Sequence, residues 1–137
     1  MKKAISVLAV FLALVLSLAA CGGEANDPWS DAEYTSDTIL GVGSKTVTVE
    51  VAVEEHLVTF TLKTDATVLG DALFESGLCV GDEGPYGLYI KTTNGILADY
   101  DINQRYWAFY INGEFAMSGV DSTEIVEGTV YRLSYEK

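Results

Sequence analysis

The chain has 137 residues, of which 20 are acidic and 8 basic, giving a formal charge of −12. That balance excludes a nucleic-acid binder, which needs a basic surface to displace phosphate counterions, and a domain lying flat on an anionic bilayer. One histidine, His56, excludes a His-based metal cluster.

The first twenty residues read as a secretory signal. Lys2 and Lys3 precede an apolar run from Ala4 to Leu18, interrupted by Ser6 and Ser17. The run is shorter than the roughly 20 apolar residues that a membrane-spanning helix needs. Its end, Leu18-Ala19-Ala20-Cys21, resembles a bacterial lipobox. The resemblance implies cleavage before Cys21 and a diacylglycerol thioether on its sulfur, and so an extracytoplasmic, lipid-anchored protein. Removing residues 1–20 takes away two lysines and no acidic residue, which shifts the formal charge from −12 to −14. With Cys21 acylated, Cys79 has no disulfide partner. Between Leu78 and Val80 it reads as a buried apolar residue rather than a reactive thiol.

Residues 21–44 are rich in Gly, Asp, Ser, Thr and Glu and read as a flexible acidic tether. Residues 45–137 have the length of one small domain with a modest core. From Lys45 to Val53 the valines at 47, 49, 51 and 53 share one face, which predicts a half-buried strand. Glu54-Glu55-His56 is the expected turn, and Val58, Phe60 and Leu62 mark a second strand over Leu57 to Lys63. The period then changes. Val68, Leu69, Ala72 and Leu73 fall at helical spacing, with Thr67 as the expected N-cap and Gly77 as the stop.

Gly81 to Pro85 reads as a loop and Tyr86 to Thr92 as a strand, with Asn94-Gly95 as a tight turn. Ile96 to Tyr100 is a short strand candidate, and Asp99 to Gln104 is polar and loop-like. The aromatic stretch Tyr106 to Ile111 is a strand, Asn112-Gly113 a hairpin turn, and Glu114 to Met117 its short return. Thr129 to Tyr135 closes the chain as a strand. This order predicts an α+β fold, with mixed or antiparallel sheets packed on one short α-helix.

Motifs for chemistry are few. Asp99-x-Asp101-x-Asn103 begins like a calcium loop, but Gln104 and Tyr110 stand where an EF-hand needs Gly and Glu. A hydrogen-bonding turn is the expectation there, and no metal site is expected. Gly41-Val42-Gly43-Ser44-Lys45-Thr46 fails as a phosphate loop because a strand follows it instead of a helix. No G-x-S-x-G elbow is present, and the chain reads as a binder rather than an enzyme. The candidate ligand residues are aromatic: Tyr106, Trp107 and Tyr110 on one strand, Tyr86 and Tyr89 on another. Alternation pairs Trp107 with Phe109 and Ile111 on the better core face and leaves Tyr106 and Tyr110 outside. Tyr and Trp offer flat apolar area with a polar handle, suited to a ligand edge or to packing.

Several stretches, taken in order, resemble the transcobalamin C-terminal-like domain of bacterial surface lipoproteins (domain of unknown function 4430). They are Thr67-Val68-Leu69-Gly70-Asp71-Ala72-Leu73, Gly84-Pro85-Tyr86-Gly87-Leu88-Tyr89-Ile90, Asn94-Gly95-Ile96, Tyr106-Trp107-Ala108-Phe109-Tyr110-Ile111-Asn112-Gly113, Gly119-Val120-Asp121 and Glu127-Gly128. The resemblance implies a β-grasp-like fold over 45–137. It also implies one half of a corrinoid-binding cleft, with the Tyr106-Trp107 pair beside the ligand edge. The other half, in transcobalamin and intrinsic factor, is a large α-helical domain that this sequence does not contain. Two partners follow as expectations: a corrinoid such as cobalamin, or a protein docked on the same aromatic edge at the cell surface.

Overall fold

Alternation along the valine-rich stretch sets the first long strand, and a mixed sheet grows around it. The computed structural model describes residues 27–85 and 87–137, so Cys21, the signal segment and Tyr86 lie outside the described residues. The strands are β1 (Thr38–Gly41), β2 (Lys45–Val53), β3 (His56–Thr64), β4 (Cys79–Gly84), β5 (Gly87–Thr93), β6 (Ile96–Leu97), β7 (Tyr106–Ile111), β8 (Glu114–Phe115) and β9 (Val130–Glu136). Among the described residues, two α-helices, α1 (Leu69–Glu75) and α2 (Tyr100–Asn103), and two single 3-10 turns accompany these strands. Six strands form one sheet in the order β1-β3-β2-β9-β7-β8, and three form a second in the order β4-β5-β6. The expected α+β class is what the structure has.

In the large sheet β2 is antiparallel to β3 and parallel to β9, which in turn is antiparallel to β7. One face carries Val47, Val49, Val51, Val53, Val58, Phe60, Leu62, Tyr131, Leu133, Trp107 and Phe109, all buried. α1 lays Leu69, Ala72 and Leu73 on this face. Fully burying one such side chain is worth about 1.5–3 kcal/mol, so this layer carries most of the fold's stability. Slipping β2 by one residue would turn its four valines to solvent, and that cost fixes the register. The Asn-Gly turns form as expected, with positive φ at Asn94 and Gly95 and at Asn112 and Gly113.

Four expectations are corrected. First, residues 27–44 are not a free tether. Trp29 stacks on His56 with ring centroids 4.5 Å apart, and Tyr34 meets Phe60 edge-on. The Asn94 side chain accepts from the Tyr34 N–H at 2.8 Å and donates to the Tyr34 carbonyl at 2.9 Å. β1 then pairs in parallel with β3. Gly43 serves close approach, since a Cβ there would collide with the Thr64–Asp65 backbone. These partners are distant in sequence, and local composition carries no trace of them.

Second, α1 is not capped by Thr67. Its N-cap position is Val68, with no side-chain bond. The Leu69 N–H donates instead to the Thr123 carbonyl at 2.8 Å, so a distant backbone satisfies the helix start. Third, Gly81 to Pro85 is mostly strand: β4 runs to Gly84 as an edge, and its register shifts between Val80 and Gly81. An edge strand has solvent on one side, so its polar residues read as loop. Fourth, α2 occupies part of the predicted polar loop.

Candidate functional site

β4 and β5 form a hairpin of the small sheet, packed through β5 against β7 of the large one. Tyr89 and Lys91, two apart on β5, share one face, and Leu88 and Ile90 share the other. The Tyr89–Lys91 face looks into a pocket of about 430 Å³ whose walls include Asp82, Glu83, Tyr89, Lys91, Asp99 and Tyr100. The Leu88–Ile90 face borders a hollow of about 160 Å³ lined also by Tyr106, Trp107, Phe109 and Val120. The two cavities share Leu88 and Tyr89.

Lys91 is the electrostatic centre of the larger pocket. Its ammonium lies 2.9 Å from Asp82 and 3.5 Å from Asp99. The hydrogen bond and charge of Asp82, followed by the charge of Asp99, raise the lysine pKa above its ordinary value, so it stays protonated. Asp99 is itself held in place. Its Oδ1 accepts from the Asp101 N–H, its own N–H donates to Asn103 Oδ1, and Asn103 Nδ2 donates to the Leu97 carbonyl. Asp99 and Asn103 therefore interlock as a helix cap, with Asp99 Oδ1 and Asn103 Oδ1 turned to backbone amides and Asp99 Oδ2 left to Lys91. Among the described residues no group of three or more His, Cys, Asp or Glu side chains is arranged to hold a metal ion. Tyr89 and Tyr100 are 42% and 59% exposed, which leaves their rings open to a ligand.

The aromatic residues expected from sequence divide into two groups, with Tyr86 outside the described residues. Tyr89, Tyr106 and Trp107 come together around the smaller hollow. Trp107 lies on the core face that alternation favours, not at the open ligand edge that the family resemblance implies: it is 8% exposed, and its indole N–H donates across to the Lys91 carbonyl at 3.2 Å. It holds β5 against β7. Tyr110 lies apart, on the outer face of the large sheet. There its hydroxyl donates to Glu136 at 3.1 Å and its ring meets Phe115 edge-on. The Glu136 hydrogen bond, then burial, pushes the Tyr110 pKa up. Tyr106 also donates to Glu136, at 3.4 Å. Cys79 is fully buried beside Thr93, and burial pushes its thiol up to about 12. It is inert packing rather than a nucleophile.

Sequence reasoning missed Lys91, Asp82, Asp99 and Tyr100. The alternation of Tyr89 with Lys91 was a usable signal for one shared face. Nothing local places Tyr100 opposite them.

A mixed sheet backed by one helix, with a hairpin walling an open aromatic and charged pocket, defines a small α+β domain with a concave surface. The chain belongs to the family described as Domain of unknown function (DUF4430), whose sequence profile matches residues 65–137. β1, β2 and β3 precede that match and complete the large sheet. Among solved structures, a suggested metal binding protein from Ruminococcus gnavus ATCC 29149 is 32% identical, over 69% of this chain and 98% of its own, with a TM-score of 0.63. Haptocorrin in complex with Cbi is 18% identical, over 68% of this chain and 25% of that chain, with a TM-score of 0.47. No curated protein matches the sequence.

Proposed function

We propose that this chain is a lipid-anchored, extracytoplasmic module that binds a small organic ligand in the pocket between the β4–β5 hairpin and α2, and that it is not an enzyme. The observation that carries the reading is the pairing of two exposed tyrosines, Tyr89 and Tyr100, with a carboxylate-flanked Lys91 in one cavity of about 430 Å³. Ligand sites combine apolar area with a few placed polar groups in this way and at this size. A corrinoid is the first ligand to test, on the sequence resemblance to transcobalamin C-terminal-like domains. Metal binding, attributed to the Ruminococcus gnavus neighbour, finds less support here than an organic ligand does.

The docked arm bears on the anchor. Only residues 22–26 separate Cys21 from the described chain at Asp27. Six Cα steps reach at most about 20 Å, so acylated Cys21 would keep the domain close to the bilayer. The arm is clasped at Asn94, just past one end of β5. The hairpin tip is at the other end, about 20 Å along seven residues of strand. That layout favours a pocket mouth turned away from the anchor.

The test is a calorimetric or spectral titration of the chain lacking residues 1–20 with cobinamide and with cobalamin. Binding should appear in the micromolar range or tighter, and Tyr89→Ala/Tyr100→Ala should weaken it about tenfold or more, as truncation of aromatic anchors does. Absence of any signal at high micromolar ligand would overturn the corrinoid assignment. A second reading, docking of a surface protein, is favoured by Phe115 and Met117, which are 61% and 97% exposed at the β7–β8 end. Under it, Phe115→Ser/Met117→Ser would abolish capture of a membrane-extract partner while the tyrosine pair would not.

A further inference from the structure

The β4–β5 hairpin is a cantilever. β5 pairs with β6 only at Thr92 and Thr93, so from Gly87 to Lys91 its strand partner is β4 alone, and β4 is an edge. Among the described residues, three hydrogen bonds tie the backbone of this stretch to residues outside the strands of the small sheet. Near its root the Trp107 indole and the Ala98 N–H both donate to the Lys91 carbonyl. Near its tip the Leu88 N–H donates to Asp121 Oδ2 at 3.2 Å.

We infer that Asp121 is the positioning residue that fixes the pocket-lining hairpin. The inference rests on the reading of that pocket as the ligand site. Its warrant is the way the chain makes room for this one carboxylate. Gly87 has φ +104°, and a Cβ there would overlap the Asp121 carboxyl group. A Cβ on Gly119 would press on Asp121 Oδ1 at 3.0 Å. A Cβ on Gly70, in α1, would sit 3.1 Å from both Asp121 Cα and Leu88 Cδ1. Three glycines thus pack around Asp121: Gly87 of β5 against its carboxyl group, Gly119 just before its own 3-10 turn against Oδ1, and Gly70 of α1 against its backbone.

The backbone that presents Asp121 is rigid. It sits in the 3-10 turn Val120–Ser122, where Val120 is buried, Ser122 N–H donates to the Gly119 carbonyl, and Thr123 Oγ1 donates to the same carbonyl at 2.9 Å. The Thr123 carbonyl in turn receives the first amide of α1. Asp121 therefore connects the helix-backed core to the tip of the cantilever. Gly87 and Leu88 both line the larger pocket, so the carboxylate sets one wall without facing the ligand.

The experiment is amide hydrogen exchange on the chain lacking residues 1–20. Asp121→Ala should speed exchange at Leu88 and its neighbours on β5 by about tenfold, the worth of one hydrogen bond to a charged group. Val51 and Phe60 amides in the large sheet should keep their rates. Asp121→Asn retains an acceptor oxygen and should restore the β5 rates, and Gly87→Ala should reproduce the Asp121→Ala pattern. Equal acceleration in β5 and in the core, or none at β5, would overturn the inference. Cobinamide supplies the second arm: Asp121→Ala should weaken its binding and Asp121→Asn should preserve it. If cobinamide fails to bind the unsubstituted protein, the ligand assignment falls, while the exchange arm still decides the role of Asp121. If cobinamide binds and both substitutions leave its affinity unchanged, the positioning role falls and the ligand assignment stands.

Discussion

The two sheets of this molecule are built on opposite terms. The large sheet buries one continuous face of β-branched and aromatic side chains under α1, and its strands are paired on both sides except at β1 and β8. The small sheet has an edge at β4, a register shift at Val80/Gly81, and exposed Val80, Asp82 and Tyr89. Fold stability is concentrated in the first, and the candidate ligand surface in the second. A rigid scaffold carrying a less buried functional segment is the usual division, because binding groups must stay solvent-accessible and therefore contribute little to the core.

Substitutions can sharpen or break this contrast. The largest effect belongs to the large sheet. Phe60→Ala removes a fully buried ring that also meets Tyr34, and should cost about 3–5 kcal/mol in a urea melt. A loss under about 1 kcal/mol would mean that the layer can collapse around the vacancy, against a close-packed core.

An intermediate effect is expected at Cys79, where β4 leaves the core. Its folded-state pKa, about 12, lies above the ordinary thiol value of 9.0. Above pH 9 the unfolded chain releases this proton and the folded chain holds it, so stability falls as pH rises towards 12. The full contribution is present below pH 9. Melts of the protein and of Cys79→Ala compared across this range should show a steeper decline in the former, and iodoacetamide should label Cys79 only after unfolding. Labelling of the native protein at pH 8 would contradict the burial.

The smallest effect belongs to the hairpin. Tyr89→Ala should change stability by no more than about 0.5 kcal/mol, as exposed positions do, while damaging ligand binding. A destabilisation comparable to that of Phe60→Ala would erase the distinction between the two sheets.

The elements readable from sequence are those whose signal is local. The valine alternation of β2, the Val58/Phe60/Leu62 pattern of β3, the two Asn-Gly turns and the aromatic strand β7 are all found within a residue or two of their expected places. The face assignment on β7 also holds, since Trp107 and Phe109 are buried and Tyr106 and Tyr110 are not. Period-2 burial and positive-φ turns are properties of neighbouring residues, and they survive folding unchanged.

The candidate site was only partly readable. Tyr89, Tyr106 and Trp107 gather around one hollow, as a shared aromatic edge requires, but Tyr110 belongs to a different surface. The reason is position along β7: Tyr106 starts the strand, beside the β5 hairpin, whereas Tyr110, four residues further on, lies where β7 pairs with β8 and meets Phe115. Lys91 carries no signal of its own in the sequence, because its partners Asp82 and Asp99, from β4 and the α2 cap, close on it only in the fold.

By itself, then, the amino-acid sequence determined the α+β class, the core faces of β2, β3 and β7, and the turns that join them, because these depend on periodicity and on backbone preferences a few residues long. Tertiary structure alone decided that residues 27–44 belong to the folded unit, that a distant carbonyl starts α1, and that Asp121 reaches the hairpin. Each of these rests on a hydrogen bond or close approach between segments at least about thirty residues apart, formed only when the sheet is closed.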